Sequence, residues 1–274
     1  MPVDQSLREG KLDESLAELQ EQVRKDPSNT KHRIFLFQLL AILGQWERAM
    51  TQLKVLGEMD AATLAMVQMY REALKCEALR AQVFAGERTP MVLGEPEEWV
   101  AALMESLRAM GAGEEQQSSE LRGRALEGAP TTSGSLDERT FEWIADADSR
   151  LGPVLEVIVN GRYYWVPFHR IRTVQIEEPS DLRDLVWMPA NFTWANAGQT
   201  VGLIPTRYPG TEAAGEGELL MARRTEWAER GADVYVGLGQ RMLATDSDEH
   251  PLMDVRLIDL NTSDGMAGGP EAGE

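Results

Sequence analysis

Hydrophobic spacing changes once along this chain, near residue 130, and that change constrains the fold more than any other feature. Before it, apolar residues recur at threes and fours, the spacing that lines one face of a helix. After it, β-branched and aromatic residues cluster in short runs broken by Gly, Pro and Asn, as strands and tight turns require. Segment Ala129–Ser135, with Pro130, Thr131, Thr132 and Gly134, reads as the connection. The expectation is an α+β protein with two domains and a tail. Residues 1–130 form a helical domain, 131–260 a compact β-rich (mixed) domain, and 261–274 a disordered acidic tail.

The helical half carries an internal repeat. Its first 60 residues match themselves at an offset of 34, pairing Gly10 with Gly44, Ser15 with Ala49, Leu19 with Leu53 and Asp26 with Asp60. That is the period of the tetratricopeptide repeat, in which two antiparallel helices stack on the next pair. The glycines suit the turn within each pair, and Ser15 and Ala49 are small where paired helices approach. Pro27 ends the first unit, because proline cannot continue a helix. That unit lacks a good leading helix and reads as half a repeat. Beyond the repeat, the spacing predicts a long helix over Ala61–Ala85 stopped at Gly86, a second over Glu97–Met110 and a third over Gln116–Gly128. So few repeats cannot build a long superhelix, so something else must cap them.

In the second half, Asn160-Gly161 sits between Val154–Val159 and Arg162–Val166. A two-residue hairpin turn needs positive φ at both positions, which Asn and Gly tolerate best. Further strands are expected at Phe141–Ile144, Arg172–Ile176, Leu185–Trp187, Thr193–Trp194, Val201–Pro205, Arg223–Trp227, Val234–Leu238 and Val255–Ile258, with a short helix at Glu218–Ala222. The short spacing suits antiparallel pairing and not βαβ units. Alternation sends Tyr163 and Trp165 to one face and Tyr164 to the other. An aromatic face left uncovered would be a docking patch.

Composition narrows the partners. The net charge is −18 at pH 7 and every lysine lies at or before Lys75, so the second half is the more acidic. Such a surface repels phosphate backbones and anionic membranes and steers in basic proteins. The single cysteine, Cys76, has no intramolecular partner and lies in a helical pattern with Leu74, Ala78 and Leu79, which predicts a buried thiol. The opening MPVDQSLREG has no apolar signal region, and no apolar run reaches membrane-spanning length. A cytoplasmic protein is expected.

Catalytic motifs are sparse. Asp146 and Asp148, two residues apart, could share a hard cation, but no further oxygen ligands follow at calcium-loop spacing. Capping of backbone N–H groups before the hairpin explains them better. His169 could pair with Asp181 or Asp184, yet no GxSxG nucleophile accompanies it. Gly237-Leu-Gly239 is too short for a dinucleotide fingerprint, and Walker, HExxH and CxxC motifs are lacking. A metal-dependent hydrolase built on Asp146, Asp148, His169 and Asp184 is therefore the alternative. A non-catalytic interaction protein without cofactor is the primary expectation.

Three long runs resemble one family. They are FEWIADADSRLGPVLEVIVNGRYYWVPFHRI from Phe141, DLRDLVWMPANFTWANAGQTVGLIPTRYPG from Asp181, and ARRTEWAERGADVYVGLGQRMLATD from Ala222. The family is ImpE/SciE, also called TagJ, and the resemblance spans roughly Leu7 to Leu260. It implies a non-catalytic adaptor for the contractile sheath of bacterial type VI secretion. The implied partners are the N-terminal helical segment of the small sheath subunit TssB and the sheath-recycling AAA+ ATPase ClpV. An amphipathic helix suits a groove between stacked helices. Counting from Thr30, the inward positions of the complete repeat fall at Lys31, Ile34, Gln38, Ala41 and Ile42. Lys31, Ile34, Gln38 and Ile42 are the expected contacts, with the sheet face around Trp165 as the competing site.

Overall fold

The computed structural model of the chain describes residues 2–231 and 234–262, so the expected tail lies outside the described residues from 263 onward. The helical half runs α1 (Pro2–Arg8), α2 (Leu12–Lys25), α3 (Thr30–Ile42), α4 (Trp46–Met59), α5 (Leu64–Phe84), α6 (Glu98–Gly111) and α7 (Glu115–Gly128). The repeat positions are equivalent in space. Gly10 and Gly44 turn the chain at φ +73° and +66°. Ser15, Leu19, Ala49 and Leu53 are all fully buried. The first unit is not half a repeat. The short α1 supplies its leading helix, and Ser15 Oγ on α2 donates to Ser6 Oγ on α1 at 3.0 Å. Asn29 caps α3 by accepting the His32 N–H at 3.3 Å. Among the described residues, no helix is long and apolar enough to cross a membrane.

The strands are β1 (Met91–Val92), β2 (Gly134–Leu136), β3 (Arg139–Phe141), β4 (Ile144–Asp146), β5 (Val154–Val159), β6 (Arg162–Pro167), β7 (Ile171–Ile176), β8 (Trp187–Trp194) and β9 (Gln199–Pro205). Two short helices, α8 (Thr211–Ala214) and α9 (Gly217–Leu220), precede β10 (Thr225–Glu229), β11 (Tyr235–Gly239), β12 (Met242–Thr245), β13 (Glu249–Pro251) and β14 (Leu257–Leu260). Nine of these strands form one sheet in the order β1-β6-β5-β9-β8-β7-β14-β2-β3. Strands β13-β12-β4 form a second sheet and β10-β11 a ribbon. The pairings are antiparallel except β1 with β6.

Several expectations change here. The helical half donates a strand, because β1, before Gly111, joins the sheet edge at Tyr164 and Trp165. Two residues are too few for a periodicity to reveal. Thr193–Trp194 is the end of a longer strand, the eight residues Trp187–Trp194. Pro189 lies just past the last β7 pairing, Ile176 with Ala190, where an interrupted ladder is tolerated. Leu185 belongs to a 3₁₀ turn, Leu182–Leu185, and not to the strand that follows. Strands β2, β12 and β13 have no expected counterpart; each is three or four residues long and polar at one or more positions.

The large sheet is covered on both faces. Val154, Ile158, Tyr163, Trp165, Trp187 and Leu203 pack with the helices in one core. Leu155, Val157, Val159, Val166, Val174, Met188, Phe192 and Ile204 form a second core, closed over by Leu243, Leu252 and Val255. Strand β5 is consequently buried at every position. The helices also touch the second half through their turns. A Cβ on Gly44 would sit 2.5 Å from the Glu212 Cβ of α8, so only glycine fits there.

The hairpin turn has the geometry its residues suggest, with Asn160 at φ +50° and Gly161 at φ +70°. Proline is fixed near φ −65°, so Asn160→Pro should lower stability by about 1–3 kcal/mol. Urea unfolding of the variant measures this, and an unchanged midpoint would refute the turn's role.

Candidate functional site

The site with the most chemistry on it is a chain of buried charges between the helices and the sheet. It begins with Glu156, a lone carboxylate in the otherwise apolar strand VLEVIV. Pleating points Glu156 to the same side as Val154 and Ile158, toward α5. From α5, Arg80 Nε donates to Glu156 Oε1 at 2.7 Å and its Nη2 to Oε2 at 2.9 Å, a bidentate pair. Arg241, just before β12, holds Oε2 from the other side and reaches Asp146 with its second nitrogen. Tyr163 donates its hydroxyl to Oε1 and accepts the Trp165 Nε1–H at 2.8 Å.

The chain extends at both ends. Asp146 Oδ1 accepts the Tyr208 hydroxyl at 3.0 Å and the Asp148 N–H at 2.9 Å. Asp148 takes the Arg150 guanidinium at 2.6 and 2.8 Å and the Gly237 N–H at 2.8 Å. On α5, Glu77 accepts from Arg80 at 3.3 Å and from Trp187 Nε1 at 2.9 Å. Arg80 also donates to the Arg207 carbonyl at 2.7 Å. Arg207 in turn caps the end of α3, donating to the Ile42 carbonyl at 2.8 Å and to Leu220 O at 2.5 Å. Arg80, Asp146, Asp148, Glu156, Arg207 and Arg241 are all buried.

Position sets opposite proton affinities for the two carboxylates that share Arg241. Burial alone would raise Glu156, but guanidiniums on two sides hold it down to about 2. Burial raises Asp146 to about 6; Arg241 opposes this, while Asp148 reinforces it. Burial also pushes the Cys76 thiol up to about 12, in keeping with its expected buried place.

The hydrolase alternative loses its cluster in this geometry. Asp146 and Asp148 spend every carboxylate oxygen on guanidiniums, a tyrosine hydroxyl and backbone N–H groups. His169 lies elsewhere, its Nε2 2.9 Å from Glu97 Oε1. Burial lowers its pKa, against the pull of Glu97. Asp184 closes the capping box of the 3₁₀ turn, accepting the Asp181 N–H at 2.8 Å. Among the described residues, no group of three His, Cys, Asp or Glu side chains is placed to hold a metal ion.

The docking residues read from the sequence also separate. Lys31 is exposed and Ile34 half-buried against the core. Gln38 is buried, with Nε2 donating to Asp181 Oδ1 at 2.6 Å. Ile42 is fully buried. The inner face of α3 therefore packs on the 3₁₀ turn of the chain's own second half. Trp165 is fully buried too, its ring tilted on Phe84 of α5 at 6.1 Å. Tyr163 and Trp165 do share a face, as alternation requires, and the helices cover it. Sequence reasoning missed Arg80, Glu156, Arg207 and Arg241. One signal was available: a lone glutamate inside an apolar strand must find a cation.

An uncovered apolar groove lies at the far end of the hairpin. Ala65, Gln68, Met69 and Glu72 of α5 form one wall. Ile158, Asn160 and Gly161 of the hairpin and Val201, Gly202 and Leu203 of β9 form the other, around about 350 Å³. Val201 is 60% exposed and Met69 47%.

Replacing Glu156 tests the charge chain. Glu156→Gln leaves Arg80 and Arg241 with a neutral partner in a dry site, so stability should fall by about 3–5 kcal/mol. The depressed carboxylate stabilises the fold fully above its unfolded value of ~4.5, and that contribution disappears as pH falls toward 2. Asp146, being raised, has the opposite sign: its contribution is full below ~3.8 and is lost as pH rises through 6. Denaturant midpoints between pH 3 and 6 should show a shallower acid-side fall in Glu156→Gln than in the wild type. Equal slopes would mean that Glu156 does not drive the acid limb.

Comparison with known proteins places this architecture. The family described as "ImpE protein" matches residues 138–259, which carry the hairpin, Glu156 and Arg241. The chain is 51% identical over 264 residues to the type VI secretion system accessory component TagJ of Pseudomonas aeruginosa, covering 96% of this chain and 92% of that protein. The crystal structure of protein VPA1032 from Vibrio parahaemolyticus superposes with a TM-score of 0.88 at 27% identity, covering 96% of this chain and 98% of the other. With half its positions shared across nearly the whole length, this chain belongs to the ImpE/TagJ family.

Proposed function

We propose that the protein is a non-catalytic accessory adaptor of a type VI secretion system, acting in the cytoplasm. It binds the N-terminal helical segment of the small sheath subunit TssB and modulates sheath assembly or ClpV-dependent recycling. One observation supports the non-catalytic part: the carboxylates of the buried charge chain, Asp146, Asp148 and Glu156, are engaged by the chain's own donors. The accessory role is supported by the 51% identical relative, itself named as a type VI accessory component. A rigid scaffold with a negative field and an open apolar groove is suited to capturing a segment of another protein.

A pull-down with purified small sheath subunit tests this. Retention of the full subunit, and its loss when the first helix is deleted, is the expected outcome. Equal retention of both forms would remove the helix from the proposal, and retention of neither would remove the partner.

A further inference from the structure

We propose that the outer edge of β10 is a docking site for an extended segment of another protein. The segment adds to the β10-β11 ribbon as a third strand, with lysine or arginine opposite Glu229 and an apolar residue opposite Trp227. The site lies apart from the groove between α5 and β9 and does not rest on the adaptor reading.

The hydrogen bonds of β11 show which groups of β10 are free. Strand β11 pairs with β10 on one side and turns its other edge toward the body of the protein. There the Tyr235 N–H donates to Ser149 Oγ at 3.0 Å, the Gly237 N–H to Asp148 Oδ2 at 2.8 Å and the Gly239 N–H to Thr211 Oγ1 at 2.9 Å. The carbonyls of Tyr235 and Gly239 accept the N–H groups of Ser149 and Tyr208. Tyr235, Gly237 and Gly239 therefore turn their backbone groups away from β10. Directly opposite residues of an antiparallel pair turn these groups either toward each other or both apart. The residues opposite are Glu229, Trp227 and Thr225. Their N–H and C=O groups consequently point outward, and among the described residues none of these groups has a hydrogen-bond partner.

An open row of amides and carbonyls is a template for another strand. The other sheet edges, β1, β3, β4 and β13, have only two or three residues each. Strand β10 has five, with no proline and no break in its register. Glu226, Trp227 and Glu229 are exposed along it. Trp227 is backed by the Tyr208 ring at 5.6 Å, so it offers a fixed aromatic surface to an apolar residue across the ladder.

Charge selects the occupant. Glu226 is held by Arg224 at 2.8 Å, while Glu229 has no cation on it among the described residues. A second copy joined edge to edge about Trp227 would set Arg224 against Arg230 and each Glu229 against Thr225. Like charges directly opposite are unfavourable, and two chains of −18 repel. A basic strand instead meets Glu229 with a cation and is steered in by the whole field.

The blocked peptide Lys-Val-Ile-Thr-Val, laid antiparallel, puts its lysine opposite Glu229 and its isoleucine opposite Trp227. Titrated into the isotope-labelled full chain, it should shift the amide resonances of Thr225, Trp227 and Glu229 and slow their hydrogen exchange. Replacing its lysine by glutamate should weaken binding at least threefold. Methylating its isoleucine amide, which faces β10, should weaken binding at least tenfold, while methylating its valine amide, which faces water, should change it less than twofold. Glu229→Gln keeps the backbone donor and removes an exposed charge, so it should erase the preference for lysine over glutamate with unchanged melting temperature. Equal effects of the two methylations overturn the added strand. Equal affinity of the lysine and glutamate peptides overturns the charge selection. Binding that leaves the three amides unshifted, or no binding, overturns the site.

Discussion

Glu156 is the charge around which the two halves of this protein are assembled. A carboxylate at the centre of a sheet face would be intolerably desolvated alone. It is satisfied because Arg80 arrives from the helices and Arg241 from the strand segment beyond the sheet. Three distant parts of the chain must therefore be in register before Glu156 has both of its cations. Buried ion pairs of this kind gain little over well-packed apolar residues, because desolvation offsets the attraction. Their strength lies in the cost of mispairing: a helix layer rotated or slid along the sheet would pull Arg80 away from Glu156 in a dry core.

The same constraint explains how the buried acidic residues are used and where surface is left over. Asp146 and Asp148, the residues most suggestive of a metal or hydrolase centre, serve as anchors for Arg241, Arg150, Tyr208 and the Gly237 backbone. Arg207 ties the end of α3 to α9 through carbonyl groups alone, an arrangement that draws on the negative end of the helix. With the helices pinned in this way, the inner faces of α3 and of strand β6 are consumed as core. What stays open is the edge that the pinning does not reach, where α5 runs past the hairpin turn and β9 extends beyond it.

Much of this was legible in the chain. The period of 34 placed Gly10 and Gly44 at turns and Ser15 and Ala49 at close contacts, and all four hold in space. Asn160-Gly161 specified its own turn through the φ that each residue tolerates. Alternation correctly grouped Tyr163 with Trp165. Strand β1 and strands β2, β12 and β13 were not legible, because runs of two to four residues carry no periodicity and owe their conformation to a neighbour. Gln38, Ile42 and Trp165, expected as partner contacts, are buried by the chain's own packing, for a related reason. An apolar stripe declares that it will be covered, but not whether by a partner or by its own chain.

By itself, then, the sequence determined the local structure: which segments coil or extend, where they turn, and which side chains share a face. Those properties depend on backbone preference and on neighbours a few residues away. It also carried, in its long Trp-, Pro- and Gly-punctuated runs, the family to which the chain belongs. Tertiary structure alone decided that Arg80, Glu156 and Arg241, separated by up to 161 positions, neutralise one another. It alone decided that α3 faces inward and that Met69 and Val201 remain outside. The physical reason is that charge pairing and burial are properties of the assembled packing, in which residues far apart in the chain become each other's solvent.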